Sequence, residues 1–129
     1  PGVTVEQLPW SLEHEVAHFQ SLDIGLYPLV ADEWSVGKSG FKAVQYMACA
    51  VPTVASPVGV TSDMIRDGDN GFLAADDATW VERLTQLIDE PALRKRLGAA
   101  GRADALASWS LAVQAPRFVD IVRNAMEAR

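Results

Sequence analysis

Short apolar runs alternate along the chain with longer stretches in which apolar positions recur every three or four residues. Residues 3–8, Val-Thr-Val-Glu-Gln-Leu, alternate and predict a short strand that Pro9 ends. Ser11 is a candidate N-cap, and Leu12, Val16, Phe19 and Leu22 follow with helical spacing. Residues 23–29 predict a buried strand, and residues 30–36, with Asp32, Glu33 and Trp34, a polar loop. A helix is predicted over residues 40–50, with Phe41, Val44, Met47 and Ala48 on one face, then a strand over 53–56. Pro57 and Gly59 turn the chain, residues 61–66 predict a short helix, and Asp67-Gly68-Asp69-Asn70-Gly71 is a turn before the strand pair Phe72-Leu73. The rest reads as helix. Asp76 or Asp77 caps a stripe of Trp80, Val81, Leu84, Leu87 and Ile88, and Pro91 opens a helix with Leu93 and Leu97 inward. Ser110 opens a last helical region, interrupted or restarted at Pro116, with Phe118, Val119, Ile121, Val122 and Met126 apolar. Strands alternating with helices predict an α/β fold with a parallel sheet and flanking helices.

Composition narrows the function. The 129 residues fit one domain, and 49% apolar content supplies one core. A formal net charge of −6, with no basic stripe, argues against a nucleic-acid partner. A single cysteine, Cys49, excludes an internal disulfide and favours a reducing compartment, hence a cytoplasmic protein. Its apolar helical setting suits packing better than reactivity. No apolar run approaches the roughly 20 residues that span a bilayer. The chain opens almost inside its first strand pattern, which suggests a piece of a longer protein.

The candidate chemistry starts where the strand over 23–29 gives way to a glycine-containing loop and a helix. Backbone N–H groups at such a helix start can hold a phosphate. Two lysines there, Lys38 and Lys42, are conspicuous in an acidic chain, and Lys38, Ser39, Gly40, Phe41 and Lys42 form the candidate phosphate site. The two lysines are four residues apart, one helical turn. Two shorter motifs compete. His14-Glu15-Val16-Ala17-His18 matches H-E-x-x-H, in which the histidines would hold zinc and Glu15 would act as base. Ser21 and Ile24 stand where an extended motif needs Gly and His, so no third ligand is evident and no metal is expected. Gly37-Lys38-Ser39 copies the end of a Walker A motif, but Asp32 replaces its first glycine. A zinc hydrolase and a P-loop NTPase remain the remote alternatives.

A longer pattern runs through the chain. Residues 45–56, Gln-Tyr-Met-Ala-Cys-Ala-Val-Pro-Thr-Val-Ala-Ser, are followed by Pro57-Val58-Gly59 and by Ile65-Arg66-Asp67-Gly68-Asp69-Asn70-Gly71-Phe72-Leu73. Residues 22–29 and 93–102 extend the match. Together they resemble the C-terminal donor-binding domain of group 1 glycosyltransferases (glycosyltransferase family 4, GT-B fold).

That resemblance implies a partial Rossmann-like sheet with flanking helices, residues 1–129 forming part of one nucleotide-sugar-binding domain. The earlier strands of the sheet and the N-terminal acceptor domain would lie outside the chain, and such a piece would be inactive alone. It implies transfer of a sugar from a nucleotide-diphosphate sugar, with retention and without cofactor or metal, for polysaccharide or glycoconjugate synthesis. The acceptor would be a glycan or lipid-linked glycan, and the full protein could lie peripheral to the inner membrane. Family members carry two glutamates eight residues apart, the second on the donor ribose and the first near the sugar. Gln45 and Gly37 occupy those places. Gln45 is therefore the candidate ribose contact, while Gly37 leaves its partner role vacant unless Asp32 or Glu33 supplies a carboxylate. A subset of the family has a lysine where Lys42 stands. Pro9 and Trp10 are candidate sugar or base contacts, and Ser56 to Gly59 lie on the expected ligand side of the sheet. The strand at Val3, without its native neighbours, would pair with the 23–29 strand, with another copy in self-association, or with nothing. Loss of both glutamates supports the alternative of a non-catalytic nucleotide-sugar-binding or interaction module.

Overall fold

The computed structural model describes residues 2–128. Three short parallel strands form the sheet: β1 (Gly25–Tyr27), β2 (Thr53–Ala55) and β3 (Phe72–Leu73), in the order β1-β2-β3. Gly25 pairs with Thr53, and Val54 pairs with Phe72. The helices are α1 (Glu15–Gln20), α2 (Glu33–Val36), α3 (Phe41–Ala48), α4 (Thr61–Met64), α5 (Asp77–Asp89), α6 (Pro91–Asp104) and α7 (Leu111–Glu127). A π-helical turn, Ala105–Trp109, joins α6 to α7. No helix among the described residues is long and apolar enough to cross a membrane.

Strand alternation builds the two cores. Successive side chains of β2 point to opposite faces of the sheet. Ala55 joins Ala43 and Met47 of α3 with Met64 and Ile65 in one apolar cluster. Val54 joins Phe72, Leu87 and Leu97 in the other, beneath α5 and α6. Met47, Val54, Phe72 and Leu87 are thus buried as the periodicity requires, and Leu84 is partly buried.

Several expectations are corrected. Residues 3–8 form no strand; they are irregular, and Val3 and Val5 are exposed. Alternation alone cannot hold a strand that has no partner to complete its ladder. The 23–29 run keeps only three residues of strand. The loop over 30–36 contains the turn of α2, because Asp32 caps it through a hydrogen bond from the Ser35 N–H at 2.6 Å. Phe41 lies on the solvent side of α3 rather than in its apolar face. Helix α7 continues through Pro116. The proline removes the hydrogen bond to the carbonyl of Ala112, an exposed residue whose carbonyl water can reach.

Helix α6 packs closely on the end of α3. A Cβ on Gly98 would meet the Ala50 carbonyl oxygen at 2.1 Å, so only glycine permits the approach. Ala50 itself is left-handed, φ 59°, where the family pattern has glycine, at a cost of about 1 kcal/mol. The turn before β3 is locked by Asn70, which is buried. Its amide donates to the Met64 carbonyl at 3.1 Å and to the Asp104 carboxylate at 2.7 Å, and its oxygen accepts from the Arg66 N–H at 2.7 Å. Asn70→Ala should therefore destabilise the protein by about 2–3 kcal/mol, because buried partners lose their hydrogen bonds. Denaturant unfolding checks this; a loss below about 1 kcal/mol contradicts it.

Candidate functional site

The burial of Ala43 and Met47, four residues apart, fixes the rotation of α3. Lys42, Gln45 and Tyr46 then lie on an adjacent stripe that meets α1. Phe19 of α1 contacts Tyr46 edge-on, with ring centroids 5.3 Å apart. The Lys42 ammonium sits over the Phe19 ring, 4.9 Å from its centroid. Gln45 Nε2 donates to Glu15 Oε1 at 2.9 Å, and Trp10 Nε1 donates to the same oxygen at 3.2 Å. Tyr46 donates its hydroxyl to the Leu26 carbonyl at 3.3 Å, and burial pushes its phenol pKa up, so it is a neutral donor.

These side chains surround a cavity of about 270 Å³ whose walls include Pro9, Trp10, Glu15, Phe19, Lys42 and Tyr46. Its chemistry is two-ended: an exposed ammonium and a half-buried carboxylate on walls otherwise largely aromatic and apolar. Such a cavity suits a ligand with a flat or apolar body, an anionic end and hydroxyl donors.

Of the residues singled out by sequence, Pro9, Trp10 and Lys42 line this cavity, and Gln45 is tied to it through Glu15. Gly37, Lys38, Ser39, Gly40 and Phe41 do not line it. Helix α3 begins only at Phe41, after Gly40 in the left-handed conformation, φ 68°. Lys38 and Lys42 are consequently not one turn apart on a helix. Gly40 is buried, and an added Cβ would meet Val60 at 2.9 Å. Lys38 lies near Asp32, whose pKa is lowered first by the Ser35 hydrogen bonds and further by that ammonium. Asp32 is committed to its cap, so it is not a free carboxylate for the place vacated at Gly37. The segment matching Walker A follows the helical turn of α2 instead of forming a glycine-lined wrap.

Ser56 to Gly59 also lie away from the cavity. Ser56 Oγ accepts from the Leu29 N–H at 2.9 Å, and the Thr61 hydroxyl donates to the Ser56 carbonyl at 2.6 Å. These bonds fasten the turn after β2 to the end of β1. His14 and His18 stack with centroids 5.9 Å apart, and His14 Nδ1 is 2.8 Å from Ser11 Oγ. No group of three potential metal ligands forms among the described residues. Burial raises the Cys49 pKa, which disfavours a thiolate. Glu15, Phe19 and Tyr46 line the cavity but were not among the sequence-predicted site residues. Glu15 entered only as the base of a zinc motif, Phe19 only through apolar spacing, and Tyr46 only as a member of the family-like segment 45–56.

Comparison with known proteins fits this architecture. The family profile described as "Glycosyl transferases group 1" matches residues 4–90. The alpha-maltose-1-phosphate synthase of Mycobacterium tuberculosis is 37% identical over 93 residues, covering 66% of this chain and 24% of that protein. The D-inositol 3-phosphate glycosyltransferase of Thermomonospora curvata is 35% identical over 91 residues, covering 68% of this chain and 21% of that protein. The chain belongs to the group 1 glycosyltransferases. It spans about a quarter of the length of these curated relatives. Among solved structures, sucrose-phosphate synthase from Thermosynechococcus elongatus superposes with a TM-score of 0.80 at 21% identity, over 91% of this chain and 29% of that one. The C-terminal domain of a group 1 glycosyl transferase from Francisella tularensis superposes with a TM-score of 0.67 at 19% identity, over 82% of this chain and 53% of that one. The parallel sheet with flanking helices is therefore a portion of the GT-B fold.

The caps that shape the loop leading into α3 and the start of α5 have a pH signature. Asp32 and Asp76 are held below the usual 3.8, chiefly because each accepts a backbone N–H, from Ser35 and Thr79. A depressed carboxylate contributes stability that is present above its unfolded value and is lost as pH falls through the folded one. Replacing both by Asn keeps an uncharged cap. The double variant should show a shallower acid limb of thermal midpoint against pH below about 4 than the wild type. Parallel limbs would mean that the caps contribute nothing.

Proposed function

We propose that this chain is the donor-binding portion of a longer glycosyltransferase. That enzyme transfers a sugar from a nucleotide-diphosphate sugar to a glycan or lipid-linked glycan in polysaccharide or glycoconjugate synthesis. The acceptor is held by a part of the protein outside this chain, as are the strands that would continue the sheet beyond β1. Transfer retains the anomeric configuration and uses neither metal nor cofactor, and the protein works in the cytoplasm or at the membrane surface facing it. Family membership supports the reaction class, and the two-ended cavity supports the ligand class. The observation that carries the reading is Lys42, the cation on a cavity wall in the first turn of α3.

The chemistry follows from charge. Departure of a nucleoside diphosphate leaves negative charge on the β-phosphate, which a prepositioned ammonium stabilises. The unpaired N–H groups and partial positive charge at the start of α3 act in the same sense. Trp10 and Pro9 offer an apolar wall for the base. Gln45 and Glu15 provide the polar groups beside the ribose. A binding module without transfer activity is favoured by one fact, that neither position 37 nor position 45 bears a carboxylate. Sugar release or transfer by the full-length protein, assayed with a panel of nucleotide sugars, separates the two readings.

Lys42→Ala in the full-length protein should weaken nucleoside diphosphate binding by about 1–3 kcal/mol, the scale of a charge-assisted hydrogen bond. Folding stability should change by less than about 1 kcal/mol, because the exposed lysine loses only its contact with Phe19. Calorimetry compares the nucleoside diphosphate with the matching nucleoside. The diphosphate's advantage shrinks in the variant if the reading holds, and an unchanged advantage returns Lys42 to an ordinary surface position.

A further inference from the structure

The carboxylate missing from position 45 has a counterpart on another element. Gln45 points its amide at Glu15, the first residue of α1, and Trp10 donates its indole N–H to the same carboxylate oxygen. Both bonds fall on Oε1. Among the described residues none donates to Oε2, and Glu15 forms no ion pair. A half-buried carboxylate on a cavity wall, with one oxygen oriented by two donors and the other free of a protein donor among the described residues, is an acceptor set for a ligand. Lys42 occupies another part of the same wall, so the ligand carries an anionic group there and hydrogen-bond donors at Glu15. Three residues of α3 separate Lys42 from Gln45, a rise of about 4.5 Å, so one nucleotide can span both.

We infer that Glu15 binds the ribose diol of the donor and that Gln45 serves to position it. This rests on the donor-binding reading and names the residue that recognises the sugar of the nucleotide. An ionised carboxylate accepts both hydroxyls of a vicinal diol more strongly than an amide oxygen does. The amide at position 45 is what permits the exchange. A glutamate there would set two carboxylates 2.9 Å apart, and both could not stay ionised. Glutamine donates instead, and aims Glu15 Oε2 at the cavity. The helix that contributes the carboxylate has thus changed from α3 to α1, while the group stays beside the same side chain.

The test uses the full-length protein and calorimetry with GDP, UDP and ADP, each beside its 2′-deoxy form. Wild type should prefer the ribose form of its best ligand by about tenfold. Glu15→Gln keeps an oxygen that accepts from Trp10 and Gln45, so its thermal midpoint should match wild type. It should lose the preference for ribose, with affinity for the ribose form falling about tenfold. Gln45→Ala should reduce that preference without abolishing it, because Trp10 still orients Glu15. The swap Glu15→Gln/Gln45→Glu restores a carboxylate at the diol and should recover it. A preference that survives Glu15→Gln, or that disappears in Gln45→Ala alone, overturns the assignment while leaving the donor site intact. If none of the diphosphates binds wild type, the donor-binding reading fails and this assignment fails with it.

Discussion

The rotation of α3 is the constraint on which the site depends. Ala43 and Met47 are fully buried against β2 and α4, and a helix with two anchors on one stripe has no freedom to turn. Every other residue of the helix is thereby assigned a direction. Phe41 is left outside, and Lys42, Gln45 and Tyr46 are delivered to α1. Helix α1, by contrast, has no buried residue of its own. It is held by the Phe19–Tyr46 contact and by the Gln45–Glu15 hydrogen bond. The cavity is therefore the seam between a rigid helix and a lightly attached one.

That asymmetry suits a donor site. In the proposed donor site the rigid partner carries Lys42, the charge set against the leaving group, where displacement would be costly to catalysis. The lighter partner carries Glu15 and Phe19, which the same proposal sets beside the nucleoside. An acidic chain, net −6, would by itself repel a diphosphate. A local cation, Lys42 in the first turn of α3, offsets that field over a few ångströms, where it matters. Meanwhile the other conspicuous polar groups serve the fold. Asp32 caps α2, Ser56 and Thr61 fasten the turn after β2, and Asn70 locks the turn before β3.

Much of the fold was legible because its signals are local. Thr53 to Ala55 is a short apolar run between turn residues, the Asp67–Gly71 stretch can only be a turn, and Asp76 followed by a 3.6-residue stripe can only be a capped helix. The strand at Val3 misled because its alternation says nothing about whether a partner strand exists. Lys42 was singled out as a cation at a helix start, and Gln45 through the family pattern. Glu15 was not, because its role depends on two elements 30 residues apart meeting across α1 and α3, and no periodicity encodes that meeting. The one-turn helical spacing of Lys38 and Lys42 is absent for a local reason. Gly40 in the left-handed region starts the helix after Lys38, and sequence spacing alone had assumed a continuous turn.

The central claim is that the seam between α1 and α3 holds the donor nucleotide. A crystal structure of the full-length protein with its nucleoside diphosphate bound tests this most directly. The account predicts density for the nucleotide in the cavity, a phosphate oxygen within hydrogen-bonding reach of Lys42 Nζ and the ribose beside Glu15. Density at Lys38 and the Ser56–Gly59 turn, with the α1–α3 cavity empty, would contradict it.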